Sequence, residues 1–139
     1  MATLFQRDAI TRARFFLDLA RRCSPTERDE FEAFVEAAIV FARASLHRLK
    51  TRYEKQPGWK EWWEDLLHDE AVLFFRTERD HVLKEGPPKV GQVVPLRKQA
   101  DSAAGFYYFE SPDVPATLTV DRHLGRIQQL LDEATQRFG

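Results

Sequence analysis

Only one cysteine and six glycines occur in a chain of 139 residues. A lone thiol, Cys23, cannot close an intrachain disulfide, so a cross-linked scaffold is excluded and a reducing compartment is the expected setting. An excess of charge is lacking too. Lys and Arg number 21 against 22 Asp and Glu, a formal net charge of −1. That balance argues against holding nucleic acid by bulk charge, because counterion release needs clustered basic side chains. Long apolar runs are also missing: the longest, Ala37 to Ala42, has six residues, far fewer than the roughly 20 that cross a bilayer. The first residues, Met1 to Asp8, mix apolar with polar side chains and lack a signal-peptide core. A cytoplasmic, soluble protein with no membrane association is expected.

The sequence motifs of many enzymes are absent as well. There is no Gly-rich phosphate loop, no paired-cysteine metal site, no Gly-x-Ser-x-Gly elbow and no His-Glu-x-x-His. His47, His68, His81 and His123 form no i, i+3 or i, i+4 pair with one another, so no metal and no other cofactor is expected. Cys23 sits at a junction of two helical segments, where a following helix N-terminus would lower its pKa. The plainer reading is a small residue in a tight corner, because no base is placed to activate it.

What the chain does have is helical periodicity. Hydrophobic residues make up 43% of it, enough to build one core. Phe5, Ala9, Ala13, Phe16, Leu17 and Ala20 share a face over residues 3–22, with Thr3 and Gln6 spaced as a capping box. Ser24-Pro25-Thr26-Glu27 then reads as cap, first helical position and reciprocal acid. A second helix is predicted over 25–55, its stripe running from Phe31 to Tyr53 with acids at the start and bases at the end. Gln56-Pro57-Gly58 breaks the chain. A third helix is predicted from Trp59 to Gly86-Pro87-Pro88, bent near His68-Asp69-Glu70.

Residues 88–104 read as an extended surface connection with Val90, Val93 and Val94 as footholds. Phe106–Phe109 and Ala116–Leu118, flanking Ser111-Pro112-Asp113, form a candidate β-hairpin. Val120, Leu124, Ile127, Leu131, Ala134 and Phe138 recur at helical spacing after Thr119, a candidate N-cap. The expected architecture is mainly α: one domain over 1–139, an antiparallel bundle of about four helices. It divides into a three-helix part (1–87), an extended or hairpin connection (88–119) and a C-terminal helix (120–138).

Two clusters invite a functional reading. Trp59, Trp62 and Trp63 offer a stacking platform for bases, but residues 58–87 carry 8 acids against 4 bases, which repels phosphate and favours a packing role. The other is Phe75-Arg76-Thr77-Glu78-Arg79-Asp80-His81, in which four residues separate Arg76 from His81.

Arg-x4-His late in a helical bundle resembles the HEPN domains of prokaryotic nucleases. The stretch Phe74 to Pro87 also resembles a segment of uncharacterised bacterial helical proteins near that superfamily, in which Arg-Asn stands where this chain has Arg79-Asp80. The resemblance covers residues 3–86 and implies a homodimer and metal-independent RNA cleavage. His81 would then be general acid or base and Arg76 the phosphate clamp, with Arg79 assisting, the groups of two protomers meeting at the dimer interface.

The residues themselves add three points. Five helical positions place Arg76 and His81 about 140° apart in projection. Four residues separate Arg79 from Lys84, so a register through Arg79-Asp80 puts lysine where the family has histidine. Glu78, Asp80 and Glu85 surround the pair, with Arg76–Asp80 and His81–Glu85 at ion-pair spacing. The expected function is therefore a HEPN-like, dimeric interaction module with nuclease ancestry, binding a second copy or another protein. The alternative is a ribonuclease using Arg76 and His81 across the dimer. Any RNA surface is expected where Arg7, Arg14, Lys89 and Arg97 converge.

Overall fold

The computed structural model describes residues 8–84, 90–93, 105–108 and 114–139. Among these the helices are α1 (Ala9–Arg21), α2 (Arg28–Tyr53), α3 (Trp59–Leu66), α4 (Glu70–Lys84) and α5 (Ala116–Phe138), with strands β1 (Val90–Val93) and β2 (Gly105–Tyr108) between α4 and α5. The mainly α bundle expected from the sequence is what forms.

Helix α1 begins at Asp8, whose carboxylate accepts the Ile10 amide at 3.1 Å. Its start is thus later than the Thr3 predicted, and Thr3 and Phe5 lie outside the described residues. Asp caps at least as well as Thr, and its oxygen satisfies a first-turn amide. Ala9, Ala13, Leu17 and Ala20 make the buried face, and the three alanines let α1 lie close against α2.

The boundary before α2 differs by three residues from its prediction. Glu27 does reach back, its Oε1 accepting the Ser24 amide at 2.9 Å, while the Glu27 amide donates to the Ser24 carbonyl at 3.0 Å. These bonds close a separate turn containing Pro25, and the helix proper starts at Arg28 with Glu27 at the N-cap position. The Ser24 amide holds the Glu27 carboxyl below its ordinary pKa. Helix α2 has 26 residues, about 39 Å at 1.5 Å per residue, and packs against α1, α4 and α5.

The predicted third helix is two helices. After Leu66 the chain turns through Leu67, His68 and Asp69, with the Asp69 amide donating to the Leu66 carbonyl at 2.9 Å. Asp69 then restarts the helix, its Oδ1 accepting the Ala71 amide at 3.0 Å. Gly58, at φ 83°, leads into α3 in a left-handed conformation that a β-carbon disfavours.

The predicted hairpin pairs differently. β2 runs antiparallel to β1, with Val90 opposite Tyr108 and Val93 opposite Gly105, so part of the expected surface connection is a strand. Ala116–Leu118, expected as the second strand, is the first turn of α5, and Pro115 replaces Thr119 at the N-cap position. The turn Ser111-Pro112-Asp113 lies outside the described residues.

The buried apolar side chains form one cluster drawn from all five helices. Leu17 of α1, Val35, Ile39 and Leu46 of α2, Val72 and Phe75 of α4, and Val120, Leu124 and Ile127 of α5 are sealed from solvent. One end is aromatic. The Phe138 ring meets those of Tyr53, Trp59 and Trp62 at 6.1, 5.4 and 5.7 Å, and Trp62 Nε1 donates to Glu133 Oε1 at 3.0 Å. Trp59 and Trp62 are buried and Trp63 half-buried, each against this cluster, which is the packing role favoured from sequence.

Candidate cationic site between α2 and α4

Helix α4 turns Ala71, Val72, Phe75 and Glu78 inward. The remaining positions of its later half are then set by the 3.6-residue repeat. Arg76 is exposed, while Arg79, Asp80 and His81 are half-buried. Asp80 lies against Arg79, with 3.5 Å between Oδ1 and Nη1, rather than forming the expected pair with Arg76. Glu85, the other expected partner, lies outside the described residues.

The cations of α4 meet a basic stripe on α2. Arg43, His47 and Lys50 follow one another at i, i+4 and i+7, so they share a face. Arg43 is the only charged residue between Ala37 and Leu46, and at 8% exposure it is buried. Its Nε and Nη1 have no hydrogen-bond partner among the described residues. Burial, and then the charges of Arg76 and Arg79, push its pKa below the usual arginine value, with Asp80 acting in the opposite sense.

His47 belongs to the same group. Burial, followed by the positive charges of Arg43, Arg79 and Lys50, lowers its pKa and favours the neutral ring. Lys50 closes the stripe, its ammonium 5.8 Å from the centre of the Trp63 ring. The structure thus sets Arg76 and Arg79 near enough to Arg43, and Arg79 near enough to His47, for their charges to be felt. It places His81 about 140° around α4 from Arg76. The exposed guanidinium of Arg76 and the half-buried one of Arg79 can pair with an oxyanion at the surface, and a neutral imidazole can accept a proton.

Sequence reasoning singled out Arg76, Arg79 and His81 but not Arg43 or His47. The signal for Arg43 was a lone cation inside the most apolar stretch of the longest helix.

Other expected sites resolve differently. The Cys23 thiol donates to the Leu19 carbonyl at 3.5 Å. Burial, with Glu27 and Glu30 adding to it, raises its pKa, the reverse of activation by a helix N-terminus. Arg14 lies 3.8 Å from Asp121, and Arg7, Lys89 and Arg97 lie outside the described residues. Among the described residues no group of three or more His, Cys, Asp or Glu side chains could hold a metal ion, and no helix is long and apolar enough to cross a membrane. Comparison with protein-family models, curated proteins and solved structures returned no match to this chain.

Proposed function

We propose that the chain is a HEPN-like helical interaction module with nuclease ancestry, working in the cytoplasm as a homodimer. The observation that carries this reading is the disposition of α4. Its two arginines act on Arg43 of α2, and Arg79 also on His47, whereas His81 stands at a different angle on the helix. A catalytic Arg76–His81 pair within one protomer is disfavoured by that arrangement. Association is supported by Phe15, Val40, Leu73 and Leu118, apolar side chains that remain 37–59% exposed.

The second reading is a metal-independent ribonuclease, with Arg76 and His81 meeting across the dimer and Arg79 assisting. Its supporting observation is the grouping of Arg76 and Arg79 around Arg43, which suits a phosphate.

Light scattering tests the dimer, and a monomer at micromolar concentration counts against both readings. Labelled single-stranded RNA incubated with the protein in chelator separates them. The interaction module leaves it intact. Cleavage to 2′,3′-cyclic phosphate ends that is lost in both Arg76→Ala and His81→Ala establishes the ribonuclease instead.

A further inference from the structure

Helix α2 carries a second apolar stripe besides the one it gives the core. Ala33, Ala37, Val40 and Ala44 recur at steps of four, three and four, the 3.5-residue repeat by which one helix seats another. Val40 lies about 160° around the helix from the buried Ala38 and Ala42, on the side away from the core. Among the described residues Ala33 is exposed, Ala37 and Ala44 are half-buried and Val40 is 37% exposed. Aromatic rings extend the stripe onto α1. Phe41 stacks on Phe16 with 5.7 Å between centroids, Phe16 meets Phe15 at 5.2 Å, and Phe15 is 59% exposed. Large apolar side chains gathered at one surface mark an interaction site.

We infer that this face of α2 is the interface between two copies of the chain, packed antiparallel about a two-fold axis beside Val40. The inference rests on the homodimer reading above and assigns the surface that makes it.

Charge selects the occupant. From Arg28 to Glu36 the helix has four acids, Asp29, Glu30, Glu32 and Glu36, against one base, Arg28, which is tied to Glu32 at 2.9 Å. From Arg43 to Arg52 it has four bases and no acid; Arg43 is buried, and Arg48, Lys50 and Arg52 are exposed. A second α2 laid antiparallel sets each acidic half on the basic half of the other. Asp29 and Lys50, eleven and ten residues either side of Val40, then come opposite one another. Parallel packing would set like on like. A different protein carrying one sign of charge would be repelled along half of the strip, whereas a second copy matches both halves at once. The alanines on either side of Val40 let the two backbones approach toward the short end of the usual spacing of about 8–10 Å. Such an axis keeps α1 beside the second copy's α1, so the exposed Phe15 rings meet on that flank. Arg12, on the same flank, is held 5.6 Å over the Phe41 ring. Leu118 belongs to another surface: it lies one turn before Asp121, which pairs with Arg14 and Arg21 of α1, on the side of that helix away from Phe16.

The test is sedimentation equilibrium of the full chain, with circular dichroism as the check on folding. A dimeric parent is expected. Val40→Glu brings two carboxylates together at the axis and should raise the dissociation constant about a hundredfold with the helical spectrum kept. Leu118→Glu should leave the dimer as tight as the parent. Asp29→Lys and Lys50→Glu should each weaken it about tenfold, and the double variant should recover most of that loss, because its pairs are reversed rather than removed. Parallel packing gives no such recovery. Should Val40→Glu fail to fold, the charge reversals decide the matter. A dimer that survives Val40→Glu, or a double variant no tighter than the single ones, overturns the α2 interface and leaves the homodimer reading standing. A parent that is monomeric at micromolar concentration overturns that reading, and the interface with it.

Discussion

The imidazole of His123 stacks on the ring of Phe74, with centroids 4.3 Å apart and planes inclined by 24°. This pair joins α5 to α4, and Phe75 meets the same imidazole edge-on at 6.2 Å. A neutral ring suits that position between two aromatic side chains, where a charged one would be desolvated.

A pH dependence follows. Burial lowers the His123 pKa, and Glu70 and Asp69 oppose it only in part; Arg122 and Arg126 line the same pocket. With the folded pKa below the ordinary value of 6.5, the unfolded chain takes up the proton first as the pH falls. The stability is whole above that value and is lost progressively below it. His47 acts in the same sense. Circular-dichroism melts should therefore show a lower Tm at pH 5.5 than at pH 7.5, with a smaller difference in His123→Phe. An unchanged difference in both His123→Phe and His47→Gln would contradict this account.

Asp69 holds two elements with one carboxylate. Oδ1 caps α4 through the Ala71 amide at 3.0 Å, and Oδ2 accepts Arg126 Nε of α5 at 2.8 Å. Its side chain is only 15% exposed, so removal is felt. Asp69→Ala should cost about 1–3 kcal/mol in urea unfolding. Asp69→Asn keeps an oxygen for the cap and should cost less. Arg126 is 46% exposed, and Arg126→Ala should cost no more than about 1 kcal/mol. A larger loss in Arg126→Ala than in Asp69→Ala would reverse the assignment of Asp69 as the anchor.

These elements show where the sequence was legible. The stripes of α2 and α5 are long, and residue spacing alone identifies most of their buried faces. Even so, Leu130 rather than Leu131 is buried in α5, and Ile39, outside the predicted stripe, is sealed in α2 while Phe34 and Phe41 are only partly buried. The breaks were harder. Asp69 can sit in a bend or start a new helix, and only the turn after Leu66 decides between them. Ala116–Leu118 is short and apolar, a composition shared by strands and first helical turns. The true partner of β2, Val90–Val93, is more distant in sequence and too short to announce itself. Arg43 was visible as an odd residue in an apolar stretch, but its meaning depends on which α4 side chains face it, and one helix cannot reveal that.

The aromatic end of the bundle offers a separate check on packing. Phe138 joins Tyr53, Trp59 and Trp62 from the last turn of α5. Because Phe138 is only half-buried, Phe138→Ala should cost about 2 kcal/mol, less than a fully buried Phe→Ala. The tryptophan emission should shift to longer wavelength as water reaches Trp59 and Trp62. A spectrum unchanged by the substitution would show that the ring does not shield them.

The cationic site makes an unusual prediction about stability. Arg76 and Arg79 both act unfavourably on the buried Arg43, so removing a rim charge relieves the folded state while an unfolded chain gains little. Arg76 is exposed and has no ion pair with Asp80 to lose, which makes Arg76→Gln the cleaner case. Its Tm in chloride at low ionic strength should exceed that of the parent by a small margin, worth a few tenths of a kcal/mol. The margin should shrink as salt screens the repulsion, the Debye length falling from about 10 Å at 0.1 M to about 3 Å at 1 M. If Arg76→Gln instead melts lower than the parent at every salt concentration, Arg76 stabilises the fold through contacts of its own, and its repulsion of Arg43 is not the controlling effect.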